Sequence, residues 1–518
     1  MFAATILVGV AQKIHIPYPI ALVLGGTIIG FIPGLPSIQI DPHLIFVVVL
    51  PPILYHAAFG ISFREFKKNW KEIFSLALGL VAFTTLIIGL LFKWLFPDLS
   101  WALAFAFGAI VSPPDAVAAT TILKRFAISP RLLSILEGES LINDASAIVL
   151  YKLAVVAILS GSFSVSGGAI EFIQEVVGGV IVGLICGFLM QRFSRRYLAP
   201  EVGVVFSFTI PYVTYLIADS IGGSGILAVV VNGLIGSNIL RLHNSSLRRI
   251  IGYPAWDTFI ILMNCFVFIL IGLQLGTLTA TMSTNEILLY TAFAFLIAYM
   301  MFVVRMFWVY AKSGVYYVKA LSKPNASVIC PEIIRDAALI GWSGMRGIVS
   351  LAAALGLPYT LPDGMPLQGR NEVIFITFLV ILITLLLPGL TLSPLIKWLK
   401  IQQPSEHPNS HEIRKKLSEV ALEKIQHLQT SQKITKEEYD FLSEYFVLQG
   451  RVLEISSSKH KKFKDIESIR LEVIQAQRNQ LLKMWENQEI DDRFLNRLEQ
   501  ELDVEETHRS RAELSNSR

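Results

Sequence analysis

Long apolar runs separated by short polar segments fill the first 400 residues of the chain. A helix needs about 20 mostly apolar residues to cross the hydrocarbon core of a bilayer, and most of the runs approach or exceed that length. The runs predict thirteen membrane helices, near residues 2–13, 17–34, 43–60, 73–95, 101–122, 131–158, 169–191, 203–219, 224–240, 252–275, 285–311, 334–358 and 371–396. Since the first run is short and no basic segment precedes it, we expect a short or truncated membrane helix there and no signal peptide.

Residues 401–518 follow a different pattern, in which mixed charges surround apolar positions at helical spacing. These positions are Leu417, Val420, Ala421 and Ile425, and then Ile466, Ile469, Leu471 and Ile474. The whole chain is 53% hydrophobic and 16% charged, yet 41 of its 84 charged residues follow residue 400. We therefore expect an all-α polytopic membrane protein with a transmembrane domain at 1–400 and a cytosolic helical domain at 401–518. The second domain either packs on itself or contributes to regulation or dimer contacts.

Lysine and arginine are concentrated in alternate loops between the predicted helices. Because cytoplasmic loops are enriched in these residues, the alternation predicts which loops face the cytosol. The basic loops carry Lys13; Arg64, Lys67, Lys68 and Lys71; Lys124, Arg125 and Arg131; Arg192, Arg195 and Arg196; Arg241, Arg248 and Arg249; Lys312, Lys319 and Lys323; and Lys397 and Lys400. Lys93 and Arg370 are the exceptions. The pattern predicts an amino terminus outside the cell and a C-terminal tail in the cytosol.

Ionisable side chains inside the predicted helices are costly in lipid, so each needs a structural or functional reason. The densest group lies in the fifth and sixth helices, at residues 109–119 and 137–152. Pro113 has no amide hydrogen and Pro114 disfavours helical geometry at Pro113, so the fifth helix is expected to break just before Asp115. Broken backbone at membrane depth is found where it lines a hydrated cavity.

The sixth predicted helix has a polar face, because its polar residues recur at intervals of three or four. These residues are Glu139, Ser140, Asn143 and Asp144. Hard monovalent cations prefer oxygen ligands, and this face and the broken segment together offer carboxylate, hydroxyl and carbonyl oxygens. A dehydrated carboxylate there can hold either a proton or a cation. The alternative for Asp115 and Asp144 is a buried ion pair, with Lys152 or an arginine, that only joins helices.

A second interruption is expected in the twelfth predicted helix. Arg346 lies there between Gly344 and Gly347, and Ser343 adds a hydroxyl that competes for backbone hydrogen bonds. If six helices repeat with inverted topology, the fifth and twelfth helices correspond, and two discontinuous helices then cross near the middle of the membrane. This prediction rests on position, since the two halves show no sequence similarity.

Two further ionisable residues lie within predicted helices. Arg305 is deep in the eleventh helix, where a carboxylate such as Glu139 would neutralise it. We expect a structural ion pair between them rather than direct proton transfer. His56, in the third helix, either packs between helices or titrates near neutral pH, and the sequence leaves both open.

Six segments carry a family resemblance: IVSPPDAVAA, GESLINDASAIVLY, IPYVTYLIAD, GSGILAVVVNGLIGSN, FVFILIGLQL and GMRGIVSLAAALGLP. In this order and spacing they resemble the bacterial, NhaP-like branch of the cation:proton antiporters, which includes the sodium/hydrogen exchangers. The resemblance covers residues 15–400. The pair Asn143 and Asp144, combined with the glycine motif around Arg346, is its most specific element.

The resemblance implies a proton-coupled antiporter of monovalent cations, with Na⁺ expected first and K⁺ or Li⁺ as alternatives. It implies a homodimer of thirteen-helix subunits in the cell (inner) membrane, with an elevator-like movement and a role in pH and cation homeostasis. The essential carboxylate that binds the transported cation would be Asp144, and the residues around it would be Asp115, Ser112, Asn143 and Ser140. Glu139 and Arg305 would form a supporting ion pair, and Arg346 would belong to the second crossing helix.

Two positions depart from the pattern of the family that the chain resembles. Pro114 stands where many relatives have a threonine, and His56 stands where many have an acidic residue. The loss of a hydroxyl at position 114 makes the ion selectivity less transferable than the antiport mechanism.

Other functional classes find little support in the sequence. No GxxxxGK[ST] loop is present, so an ATP-driven pump is not expected. A cation channel would need a carbonyl filter or a ring of charge, and no filter motif occurs. The motifs HExxH and GxSxG of hydrolytic enzymes are also absent. We expect a secondary transporter rather than an enzyme, with no cofactor; protons, a monovalent cation and membrane lipid are its expected partners, and nucleic acid is not.

Overall fold

The computed structural model describes residues 2–13, 18–32, 45–126, 128–161, 165–243, 246–279, 282–321, 326–399, 410–432 and 434–444, with isolated positions between 475 and 498. Over these residues the chain is helical, apart from turns and one β-bridge between Thr360 and Pro366. The chain divides into two compact units, Met1–Ile401 and Gln402–Arg518. The assignment of the second unit to the cytosol stays a prediction.

The helices of the first unit are numbered in chain order. They are α1 (Phe2–Lys13), α2 (Tyr18–Gly30), α3 (Ile45–Gly60), α4 (Phe63–Lys68), α5 (Trp70–Leu95), α6 (Trp101–Val111), α7 (Ala116–Leu123), α8 (Pro130–Ser160), α9 (Val165–Tyr197), α10 (Pro200–Ser220), α11 (Gly225–His243), α12 (Ser246–Thr279), α13 (Thr284–Leu321), α14 (Ala326–Trp342), α15 (Ile348–Leu355) and α16 (Arg370–Trp398). Two stretches are π-helical, Ile45–Val49 at the start of α3 and Ser75–Leu80 within α5.

Seven helices of the described chain are long and apolar enough to cross a membrane, and shorter apolar helices accompany them. The predicted all-α polytopic fold is confirmed, whereas the count of thirteen spans stays a prediction. Some helices continue beyond their apolar runs, since a helix can extend into water with polar residues. Thus α13 ends at Leu321 rather than near 311, and the predicted loop after α3 contains the short helix α4.

Both predicted interruptions are present. Residues 112–115 separate α6 from α7, and residues 343–347 separate α14 from α15. The Ser343 hydroxyl donates to the carbonyl of Leu339 at 2.6 Å, which is the competing hydrogen bond expected where α14 ends. The inverted repeat that would relate the two interrupted helices stays a prediction.

The long helix α8 has well-defined ends. Ser129 caps its amino end by accepting the backbone N–H of Leu132, and Pro130 occupies the first turn, where no N–H partner is needed. Gly161, with φ of 67°, ends the helix in the left-handed conformation that glycine adopts readily. The polar face predicted for α8 therefore lies on an unbroken helix, opposite two broken ones.

The second unit contains α17 (Ser410–Thr430), which covers the first group of apolar positions predicted for the tail. Ile425, on this helix, is buried. The second group, between residues 466 and 474, lies outside the described residues. An amphipathic helix in that part of the tail stays a prediction.

Candidate cation-binding site

The two interrupted segments lie directly against each other. The backbone N–H of Asp115, in the first interruption, donates to the carbonyl of Met345 in the second, at 2.6 Å. Gly347 lies so close to the Asp115 carboxyl group that a Cβ atom at position 347 would overlap it. A glycine is needed at position 347 because the carboxylate occupies the space that any other side chain would fill.

Arg346 joins the ends of the two interrupted helices. Its Nε donates to the carbonyl of Val111 at 3.1 Å, its Nη1 to that of Gly344 at 2.5 Å and its Nη2 to that of Ser112 at 3.4 Å. Carbonyls at the end of a helix lack partners within it and carry partial negative charge. The buried guanidinium satisfies them, and this explains the role of Arg346 that the sequence left open.

The polar face of α8 supports the first interruption. The Asn143 Nδ2 donates to the carbonyl of Pro114 at 2.9 Å, and the Ser140 hydroxyl accepts the backbone N–H of Ala116 at 3.2 Å. Backbone groups freed by a break need partners when they are buried. Ser140 and Asn143 therefore fix the broken segment in place beside α8.

The two predicted carboxylates lie in one region. Asp144 is only 8% exposed, and Asp115 lies within electrostatic reach of it. The Oδ1 atom of Asn143 is buried and has no hydrogen-bond partner among the described residues. Ser112, also buried, donates its hydroxyl to the carbonyl of Ala109 at 3.0 Å, which leaves oxygen lone pairs for a ligand. The region thus collects carboxylate, amide and hydroxyl oxygens.

Glu139 and Arg305 form the ion pair that the sequence predicts. The contact is bidentate, with nitrogen–oxygen distances of 2.5 and 2.8 Å, and both side chains are buried. The Arg305 Nε also donates to the carbonyl of Ile340, near the end of α14, at 3.0 Å. The pair therefore links α8, α13 and α14 beside the second interruption, where bidentate geometry offsets part of the cost of burying two charges.

Other ionisable residues considered from the sequence lie in different surroundings. Lys152 forms an ion pair with Glu175 at 2.9 Å, which joins α8 to α9. The His56 Nε2 lies 3.3 Å from the Asp257 Oδ1, and the imidazole stacks on Trp256 with ring centroids 5.8 Å apart. His56 thus packs between α3 and α12 and also faces a carboxylate.

Sequence reasoning missed Thr384 on α16. Its hydroxyl accepts the backbone N–H of Arg346 at 3.3 Å and donates within its own helix to the carbonyl of Val380 at 2.7 Å. A threonine in an apolar helix is a weak signal, because its hydroxyl often bonds only its own helix. The contact with Arg346 depends on how two distant helices pack.

Comparison with known proteins identifies the family and relatives of this chain. The family described as sodium/hydrogen exchanger, transmembrane, matches residues 1–398. A protein named as an uncharacterized Na⁺/H⁺ exchanger, YjcE of Escherichia coli K12, is 31% identical, and the match covers 96% of this chain and 95% of that protein. An antiporter of Bacillus pumilus, named for sodium, potassium, lithium, rubidium and H⁺, is 31% identical over 75% of this chain and 59% of its own length.

A solved structure matches the fold. The sodium proton antiporter MjNhaP1 from Methanocaldococcus jannaschii, at pH 8, gives a TM-score of 0.57 with 22% identity, covering 77% of this chain and 96% of that chain. At this identity the likeness concerns the fold alone. With the family match over most of the chain, the conclusion is that this protein belongs to the sodium/hydrogen exchanger family.

Proposed function

We propose that the protein is a secondary antiporter that exchanges a monovalent cation for protons across the cell membrane. The observation that carries this proposal is the pair Asp115 and Asp144 where two broken helices meet. The neighbours of Asp115, Pro114 and Ala116, hydrogen-bond to Asn143 and Ser140 on the face of α8 that carries Asp144. Two neighbouring carboxylates at membrane depth repel each other unless a proton or a cation compensates their charge. Since either can do so, the two compete for one site, and this competition couples their transport.

In the proposed mechanism, Asp144 alternately holds the proton and the cation. Asn143 and Ser140 hold the broken backbone in position, so the oxygens around Asp144 stay in place when the cation leaves. Neither Arg346 nor Arg305 competes with the cation for Asp144, because Arg346 is bound to backbone carbonyls and Arg305 to Glu139. The protein is a transporter and not an enzyme.

Na⁺ is the proposed substrate, with K⁺ and Li⁺ as alternatives. The family description and the name of the E. coli relative mention sodium, whereas the name of the Bacillus relative also includes potassium and lithium. Pro114 has no hydroxyl, so only its carbonyl oxygen is available at this position, and that oxygen accepts from Asn143. Selectivity then depends on the remaining oxygens around Asp144.

The orientation and assembly are also proposals. The alternation of basic loops supports an amino terminus outside, a cytosolic tail and an inner-membrane location. A homodimer surrounded by membrane lipid is what the family resemblance implies. Labelling of a tag after Arg518 from outside intact cells would contradict the orientation.

The proposed function is tested in proteoliposomes that contain a pH-sensitive dye. Addition of Na⁺, Li⁺ or K⁺ to vesicles with an acidic interior should move protons outward and dequench the dye. We expect Asp144→Asn to abolish this flux while the protein still elutes as a folded species. The matched control is Asp219→Asn, at the exposed end of α10, which should exchange like the wild type.

Two outcomes would contradict the proposal. Full cation-driven proton flux in Asp144→Asn would remove the central role of this carboxylate. Cation flux that persists without any coupled proton movement would instead indicate a channel, the main alternative.

A further inference from the structure

A polar pair lies on the two helices α2 and α12, outside the residues assigned above. These helices run in parallel and very close together, because Gly26 lies against Ile269 and Gly30 against Leu273. This register places Tyr18, the first residue of α2, beside the middle of α12. There the Asn264 Nδ2 donates to the Tyr18 hydroxyl oxygen at 3.1 Å.

The pair is near the crossing of the broken helices. Ile20, next to this end of α2, lies against Gly389 on α16. Thr384 on the same helix accepts the backbone N–H of Arg346. Helix α12 itself packs against both α15 and α16. The amino end of α2 therefore faces the elements that hold the second interruption.

The pair also lies near the first interruption. The phenol of Tyr18 lies within electrostatic reach of the Asp115 carboxylate. The backbone bond from Asp115 to Met345 holds Asp115 beside the second interruption, and α7, which begins at the next residue, packs against α16. The phenol and the carboxylate therefore lie in the same region, beside α16.

Asn264 presents an unused oxygen in that region. The residue is 1% exposed, and its Oδ1 has no hydrogen-bond partner among the described residues. If the amide oxygen and nitrogen exchanged places, the oxygen would face the Tyr18 hydroxyl. The two N–H groups would then lie where the described residues offer no acceptor. A buried polar atom of this kind needs an explanation, and a bound ion is one. Asn143 shows the same pattern: its Nδ2 donates to the carbonyl of Pro114, and its buried Oδ1 has no partner within the described part of the chain.

An unused amide oxygen does not by itself indicate a site, and Asn232 on α11 illustrates this. Its Nδ2 donates to the Thr214 hydroxyl at 2.7 Å, and its buried Oδ1 has no partner among the residues that the structure describes. Asn232 packs beside Gly187 and Thr214, on α9 and α10. Asn264 differs because it donates to a phenol at the end of α2 that packs on α16, within electrostatic reach of Asp115.

We propose that Tyr18 and Asn264 form a cation subsite on the approach to Asp115, in which the phenol oxygen and the amide Oδ1 replace part of the hydration shell of the cation. This inference rests on the proposed exchange function. Neutral oxygens bind a monovalent cation only weakly, so they can pass it to the carboxylates without trapping it. The subsite contributes to cation affinity and selectivity, whereas charge compensation stays with the carboxylates.

The test compares Asn264→Leu and Tyr18→Phe with Asn232→Leu as the matched control. Exchange is measured in proteoliposomes at several concentrations of Na⁺, Li⁺ and K⁺. We expect the apparent KM for the transported cation to rise about tenfold in Asn264→Leu, with the maximal rate nearly unchanged. Tyr18→Phe, which removes only one oxygen, should raise it less, and the order of preference among the three ions should change. Asn232→Leu should keep the wild-type KM.

A second measurement does not depend on transport. Na⁺ that binds the folded protein raises its unfolding temperature in a concentration-dependent way, and a weaker site needs more Na⁺ for the same rise. In Asn264→Leu and Tyr18→Phe, the same rise in unfolding temperature should need a higher Na⁺ concentration. In Asn264→Asp, a carboxylate oxygen replaces the amide oxygen, so less Na⁺ should be needed than in Asn264→Leu. If Asn264→Leu does not fold, Tyr18→Phe carries the test.

The outcomes separate this inference from the proposed function. If the wild type exchanges and both variants keep its KM and ion preference, the subsite is overturned and the function stands. If the variants lose maximal rate or stability while their KM, like that of Asn232→Leu, stays at the wild-type value, the pair only packs helices and the subsite is again overturned. Absence of coupled exchange in the wild type would instead overturn the proposed function.

Discussion

At the scale of single residues, Gly347 is one of the most constrained positions, because the Asp115 carboxyl group fills the space where a Cβ atom would lie. We expect Gly347→Ala to displace Asp115 and to lower the exchange rate by at least about tenfold, a loss that corresponds to 1.4 kcal/mol. Gly314→Ala is the control, since nothing lies near its Cβ position. Exchange assays on both variants check this, and equal rates would contradict the close packing.

The buried pair of Glu139 and Arg305 predicts a non-additive effect on stability. Removal of one partner leaves an uncompensated buried charge, which costs about 3–5 kcal/mol, whereas replacement of both by apolar residues costs much less. We therefore expect Glu139→Leu to lower the unfolding temperature more than the double variant Glu139→Leu/Arg305→Met does. Thermal unfolding in detergent is measured for these two variants and for the single variant Arg305→Met. A double variant that loses the sum of the two single effects would show that the ion pair adds nothing.

The sequence predicts some of these residues well and others not at all. Glu139 and Arg305 are recognisable because each is a charge in an apolar helix and therefore needs a partner. Asn264 carries no such signal, since an asparagine in a membrane helix commonly bonds a neighbouring helix. Its connection to Tyr18 spans 246 positions along the chain and follows only from the register of α2 and α12.

At the scale of elements, the break between α6 and α7 uses the backbone of Pro114 rather than its side chain. Its carbonyl accepts from the Asn143 Nδ2 at 2.9 Å, and any residue offers a carbonyl. We expect Pro114→Thr to keep exchange active and to change ion preference, because the new hydroxyl adds an oxygen ligand. Proteoliposome assays with Na⁺, Li⁺ and K⁺ measure both effects.

The control for this prediction is Asn143→Leu, which removes the donor instead of altering the acceptor. We expect exchange to be lost there, since the broken segment loses its support from α8. Loss of exchange in Pro114→Thr together with full exchange in Asn143→Leu would show the opposite, namely that the break depends on the side chain of Pro114 and not on its carbonyl bond to Asn143.

The interruptions also illustrate what a sequence pattern can predict about an element. Pro113 and Pro114 predict a break between α6 and α7 because their backbone chemistry disfavours a helix at that point. The contacts of Arg346 with the ends of α6 and α14 cannot be predicted from the sequence. Helical periodicity identifies a face of a helix but not the helix that packs on it. Proximity between remote segments is set by tertiary packing.

At the scale of the whole molecule, the candidate site is confined to the unit Met1–Ile401. Every residue proposed to bind or support the cation belongs to it. We expect a variant without residues 402–518 to insert into the membrane and to exchange cations for protons, so that any effect of the truncation is confined to rate or pH dependence. Comparison of the truncated and full-length proteins in the same vesicles checks this. Complete loss of transport in a well-folded truncated protein would make the second unit part of the mechanism.

The charge of the loaded carrier decides how the exchanger responds to membrane voltage. On the polar face of α8, Asp144 follows the neutral Asn143, and the other carboxylate, Glu139, is paired with Arg305. Asp144 is therefore the one carboxylate of this face that is proposed to exchange a proton for a cation. Asp144 is neutral when it holds a proton and is compensated when it holds a monovalent cation. The net charge that moves is then the same in both directions, although each uncompensated charge would contribute about 2.3 kcal/mol per 100 mV.

We therefore expect electroneutral exchange of one cation for one proton. The assay keeps the ion gradients fixed, varies the membrane potential with potassium and valinomycin, and uses a transported cation other than potassium. The gradient at which net flux reverses should stay constant as the potential changes. Asp115 provides the alternative, because it lies within electrostatic reach of Asp144 and a second proton released there would move one net charge per cycle. A reversal point that shifts with voltage in the wild type, and no longer shifts in Asp115→Asn, would establish that second carrier and exclude electroneutral exchange.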